Sequence, residues 1–139
     1  MPIKRLLFGS TTNARATDLG LLLLRLFAGL AIAIAHGFGK FPPSERFVAG
    51  VAEMGFPIPF FFAWAAALSE AVGGILLAIG LATRPSALMI AATTAAAGFI
   101  RHADDPFSGA EKALLFCAVA VLFAFAGAGR YSVDALIRK

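Results

Sequence analysis

The chain predicts an all-α fold, a bundle of four transmembrane helices with both termini cytoplasmic and a short amphipathic interfacial helix between spans 1 and 2. Three observations carry that prediction. First, the 139 residues are 60% hydrophobic and only 14% charged, with a mean hydropathy of +0.85, which leaves too little polar surface for a soluble chain this short. Second, four apolar runs stand out: Leu19 to Ala35, Phe60 to Ala82, Ser86 to Ile100 and Ala113 to Ala128. Third, four alternating spans sort Lys and Arg onto one side, as the positive-inside rule requires. Lys4, Arg5, Arg15, Arg84, Arg130, Arg138 and Lys139 collect there. The other side holds Lys40, Arg46, Arg101 and Lys112, diluted by Glu45, Glu53, Asp104, Asp105 and Glu111. The net charge of +4 follows from this topology and calls for no nucleic-acid partner.

At about 1.5 Å per residue, only the second run by itself crosses a hydrocarbon core of about 30 Å. The other three must recruit flanking residues or a thinned bilayer. That shortfall leaves a soluble helical bundle as the competing reading.

The elements follow in order. Residues 1–17 form an N-terminal cytoplasmic segment, and 18–139 one membrane domain with spans at about 19–36, 60–82, 86–102 and 111–128. Asp18 is placed to cap the first helix, and Gly37 and Gly39 to end it before Pro42-Pro43 turns the chain. A signal peptide is disfavoured, because Arg25 interrupts the run that would be its apolar region. Ser44 caps a segment in which Phe47, Val48, Val51 and Met54 recur at helical spacing opposite Glu45, Arg46 and Glu53, the pattern of a helix lying on the outer interface. Gly55, Pro57 and Pro59 return the chain to the membrane, where Phe60, Phe61, Phe62 and Trp64 make an outer aromatic belt and Tyr131 an inner one. Ser108-Gly-Ala-Glu111 reads as a capping box at the start of the fourth span. Ser132 and Asp134 start a final helical turn.

Small residues supply the contacts that let helices approach in lipid: Gly29, Ala33 and Gly37 on the first span, Gly73 and Gly74 on the second, and a run from Ala91 to Gly98 on the third. Polar groups then face the interior, because lipid does not solvate them. Arg25, Gly29 and His36 share one stripe, eleven residues being close to three turns. From the cytoplasmic side, Arg25 lies about 9 Å deep, Glu70 about 18 Å and His36 about 25 Å by helical rise.

An intramembrane ionisable group is a functional candidate by default. Glu70 is the strongest: near mid-membrane it must be protonated, or paired with Arg25 or His36, and a titratable group there suits proton transfer. Its structural alternative is a neutral side chain bonded across helices to Ser69, Thr93 or Thr94. Arg25 either joins that site or snorkels toward the cytoplasm. His36, Lys40, His102 and Glu111 gather at the outer mouth, as anchors and caps or as a proton relay or head-group site. No metal signature is present. With Cys117 alone, the chain has no intrachain disulfide and no dithiol chemistry of its own.

Taken together, these residues resemble the DoxX family of small four-span membrane proteins over roughly residues 18–134. The marks are Leu23-Leu24-Arg25 with Gly29, His36-Gly37-x-x-Lys40, Gly55 with Pro57 and Pro59, Glu70-x-x-Gly73-Gly74, Gly80-Leu81-x-Thr83-Arg84, Gly109-x-Glu111-Lys112 and Gly127-x-Gly129-Arg130-Tyr131-Ser132-x-Asp134. The resemblance implies a multi-pass protein of the bacterial cytoplasmic (inner) membrane. It also nominates Arg25, His36, Lys40, Glu70, Arg84 and Glu111 as the functional set. The family's namesakes are linked to thiosulfate oxidation with electrons passed to quinone, other relatives to complexes answering oxidative or thiol stress, and a related set to assembly of membrane proteins.

Two function classes follow. In one, the chain is a membrane subunit of a redox complex acting on sulfur or thiol compounds: Glu70, His36 and Arg25 act at the reacting centre, and Lys40, Arg84, His102 and Glu111 bind substrate or quinone. It has no intrinsic cofactor there, so a protein partner supplies the electrons, and a homo-oligomer is the other association open to it. In the other class it is a non-enzymatic anchor or assembly factor. Transport is a distant third, since paired broken helices are missing.

Overall fold

The computed structural model describes residues 14–138 and, within them, is all-helical. Lys4, Arg5 and Lys139, which enter the charge asymmetry, lie outside the described residues. The first helix, α1 (Ala14–Ile32), runs on through a π turn (Ala33–Gly37) and a 3-10 turn (Phe38–Lys40). Then come α2 (Glu45–Glu53), α3 (Pro59–Ile79), α4 (Thr83–Ala96) with a π turn (Ala97–Arg101), α5 (Phe107–Ala126) and a last turn, α6 (Val133–Ile137).

The continuous helical stretch Ala14–Lys40, α3 and α5 are each long and apolar enough to cross a membrane. The α4 helix is shorter and richer in Ala and Thr, 14 residues continued by 5 of π turn. It packs between α3 and α5, and α1 packs on α3.

Packing is inverted relative to a water-soluble bundle. The interior is Ala and Gly with a few larger residues, among them Ile32, Leu77, Ile90 and Phe123. The exterior carries Leu23, Phe27, Ile34, Leu88, Phe99 and Leu115, and Phe125 is 82% exposed. Small groups inside and large apolar groups outside suit helices that gain by close approach while lipid takes the bulky side chains. The soluble-bundle reading has no account of that distribution.

The small-residue contacts fall where the sequence predicts them. A Cβ at Gly29 would lie 2.5 Å from the Gly74 carbonyl oxygen, and one at Gly37 would meet the backbone of Ala71 and Glu70. In the π turn after α4, a Cβ at Gly98 would lie 2.6 Å from Leu114 of α5.

Several helix ends differ from expectation. Asp18 sits within α1 instead of capping it, because the helix already runs from Ala14; its carboxylate accepts the Arg130 backbone N–H at 3.1 Å. Gly37 does not stop the first helix: it is buried against α3, and the chain continues helically to Lys40. The α5 helix begins at Phe107, so Ser108 lies in its first turn and the capping box does not form. Ser44 and Ser132 do cap, each accepting a backbone N–H three residues on, from Phe47 and Ala135.

Candidate functional site

Helix α3 buries a carboxylate. Glu70 is followed by Ala71, Gly73 and Gly74, all buried, and the same face lets the end of α1 come close enough to deliver a side chain to it. That side chain is Lys40, whose Nζ donates to Glu70 Oε2 at 2.6 Å and Oε1 at 2.8 Å. The Glu70 side chain is 4% exposed and that of Lys40 32%. The carboxylate is thus covered while the ammonium looks outward, with the Phe47 ring of α2 centred 5.6 Å from Nζ. Phe41 and Phe60 pack edge-on against Trp64 on the same end of the bundle.

This pairing corrects the expected partners of Glu70. Neither Arg25 nor His36 bonds to it; Lys40 does, because the π and 3-10 turns carry α1 past Gly37 and its long stem spans the remaining rise. The bland alternative fails too: the Ser69 and Thr94 hydroxyls donate to carbonyls of their own helices, Ala65 and Ile90. His36 lies beside the packed stripe, its ring edge-on to Phe116 of α5 at 5.8 Å, within electrostatic reach of Glu70, Lys40 and Lys112.

Arg25 belongs to a second cluster at the opposite end. It is 1% exposed and neither snorkels to water nor meets Glu70; Nη2 donates to the Tyr131 carbonyl at 2.7 Å and Nη1 to that of Leu77 at 3.5 Å. Gly80 ends α3 with φ +72°, where a Cβ would collide with Arg25 Nη1. The turn continues through Ala82 at φ +48°, a left-handed conformation costing about 1–2 kcal/mol for a residue with a Cβ. Asp134 braces it: its carboxylate accepts Ala82 N–H at 2.8 Å and Thr83 N–H at 3.0 Å, and its own N–H donates to the Gly80 carbonyl at 2.8 Å. Burial pushes the Asp134 carboxyl up, but the Thr83 and Ala82 amides and the Arg138 charge outweigh it and hold the group below the usual carboxylate range. Asp134 also balances the buried Arg25 charge through space.

The remaining candidates are dispersed. Arg84 donates to the Phe125 carbonyl at 3.3 Å, on the Arg25 side of the molecule. His102 pairs with Asp105 at 2.6 Å in the connection before α5, and Glu111 is exposed in the first turns of that helix. Cys117 lies half-buried, its thiol toward the Ala91 carbonyl at 3.6 Å. Among the described residues no three His, Cys, Asp or Glu groups could hold a metal ion. Asp134 and Gly80 were missed as a unit; both stand in the quoted motifs, but nothing in their spacing shows that one turn closes on the other.

The chain is 31% identical over 126 residues to a Bacillus subtilis (strain 168) protein named "Putative oxidoreductase CatD", covering 90% of this chain and 92% of the relative. It is 28% identical over 131 residues to the Escherichia coli (strain K12) "Inner membrane protein YqjF", covering 88% and 95%. No solved structure matches it significantly. The DoxX family profile matches residues 20–103, more than half of the chain, and with the first relative this establishes that the protein is a membrane protein belonging to the DoxX family.

Proposed function

We propose that the chain crosses the bacterial inner membrane four times with both termini cytoplasmic. In this reading it serves as the membrane subunit of a redox complex, with a quinone ring received beside Lys40 and Glu70. The observation that carries the reading is the Lys40–Glu70 pair. Lys40 has three N–H donors, two of which serve the carboxylate; with about a third of the side chain exposed, the ammonium can offer the last to a carbonyl acceptor beside aromatic rings. A quinone, when bound, supplies the electron-accepting chemistry.

The chain's own groups hold and move protons. Glu70 holds the Lys40 ammonium in place, and with a quinone bound that ammonium would give up one proton toward it, leaving a neutral amine beside the carboxylate. His36, next in line on α1, refills the pair. Electrons come from a partner protein. The relative named as an oxidoreductase supports a redox role, and the relative named as an inner membrane protein supports the location.

Binding of a fluorescent quinone analogue to protein in lipid nanodiscs tests the reading. Lys40→Met and Glu70→Gln are each expected to weaken binding by about tenfold, the worth of a hydrogen bond from a charged donor. Unchanged affinity in both would overturn it and leave the anchor or assembly role.

A further inference from the structure

The end of the bundle opposite Lys40 holds a cavity that the proposed site does not use. It opens between the end of α3 and the last turn of the chain, with a volume of about 870 Å³. Ile79, Val133 and Leu136 give it apolar walls, and Arg130 and Arg138 border it with Tyr131. Among the described residues the lining contains no carboxylate. The two acids close to it in the fold each hold backbone N–H groups, Asp18 that of Arg130 and Asp134 those of Ala82 and Thr83; Asp134 also feels the Arg138 charge, and Arg138 Nε donates to its backbone carbonyl at 3.3 Å. Ile79 is the last residue of a 21-residue apolar helix, so the cavity lies at the boundary between hydrocarbon and head groups. Tyr131 and Leu136 are exposed around it.

We propose that this cavity binds the head group of an anionic phospholipid from the leaflet at the Arg25 end of the bundle. Arg130 and Arg138 receive its phosphate, and Ile79, Val133 and Leu136 lie against the first acyl carbons. Charge complementarity selects the occupant: two guanidiniums without a lining carboxylate attract an anion, and arginine suits phosphate through its planar fork of donors. The apolar walls select a lipid over a free anion, because phosphate alone would leave them wet. Basic pockets at membrane helix ends bind anionic head groups on this same principle.

Native mass spectrometry of the full-length protein in detergent, equilibrated with equal amounts of phosphatidylglycerol and phosphatidylcholine, tests the assignment. The unmodified protein is expected to retain phosphatidylglycerol in preference. Arg130→Gln and Arg138→Gln should each reduce retention roughly fivefold and together about 25-fold, from the usual attraction per basic residue at a membrane surface. Arg84→Gln removes the same charge at the same end but outside the cavity, and should keep the preference. Leu136→Ser, an exposed wall position, should also lower retention with no change of charge, which keeps the test available if the double arginine variant does not fold. Equal retention of both lipids, an equal loss in Arg84→Gln, or displacement by inorganic phosphate would each overturn the proposal.

Discussion

Replacing Lys40 with Met keeps most of the stem and deletes the ammonium that both Glu70 oxygens accept from, at 2.6 and 2.8 Å. The Glu70 carboxylate, 4% exposed, is then left without its partner. Breaking a fully buried ion pair costs about 3–5 kcal/mol, most of it the penalty of the orphaned charge. Lys40 is 32% exposed, so water reaches one side of this pair and the expected loss falls to about 2–3 kcal/mol. Adding Glu70→Gln removes the orphaned charge, so the double variant should regain about 1–2 kcal/mol over Lys40→Met. Reversible unfolding in mixed micelles, followed by circular dichroism for both single variants and the double, measures the coupling directly. Additive losses, or a Lys40→Met variant within about 0.5 kcal/mol of the parent, would refute a direct buried pair.

Three further outcomes are expected. Gly29→Ala places a Cβ 2.5 Å from the Gly74 carbonyl oxygen and should cost at least about 2 kcal/mol in the same unfolding assay, whereas Gly39→Ala, with nothing within 4 Å, should be near neutral; equal effects would contradict the α1–α3 contact. Gly80→Ala meets a φ of +72° and the Arg25 guanidinium together, and a loss of about 2–4 kcal/mol should appear as earlier thermal unfolding; a midpoint matching the parent would argue against the buried arginine. Asp134 has a carboxyl pKa lower in the folded than in the unfolded chain, so its stabilisation is complete above the unfolded value and fades as pH falls through the folded one. Asp134→Asn should therefore be less stable than the parent by about 1–2 kcal/mol at neutral pH, with the gap closing in acid; a gap independent of pH, read from thermal midpoints across a pH series, would exclude the charged acceptor.

Helix type and the close-packing faces were legible because they are local: apolar length, the Gly29-Ala33-Gly37 spacing and the caps at Ser44 and Ser132 depend on residues a turn or two apart. Glu70 was legible as buried for the same reason, since a carboxylate in an apolar run has nowhere else to go. Its partner was not. Helical rise put Lys40 at the mouth, well above Glu70, and that arithmetic assumes a regular helix with a rigid side chain. Two irregular turns and a flexible stem close the gap.

Arg25 shows the same division. Composition and periodicity determined that it lies inside a membrane helix. Only the tertiary structure decided that it turns away from Glu70 and binds the carbonyls of Leu77 and Tyr131, 52 and 106 residues further along. The reason is physical: hydrophobic pattern fixes which face a helix buries, but a buried charge selects partners by distance and geometry. Those emerge only once Gly80, Ala82 and Asp134 have folded into one turn beside it.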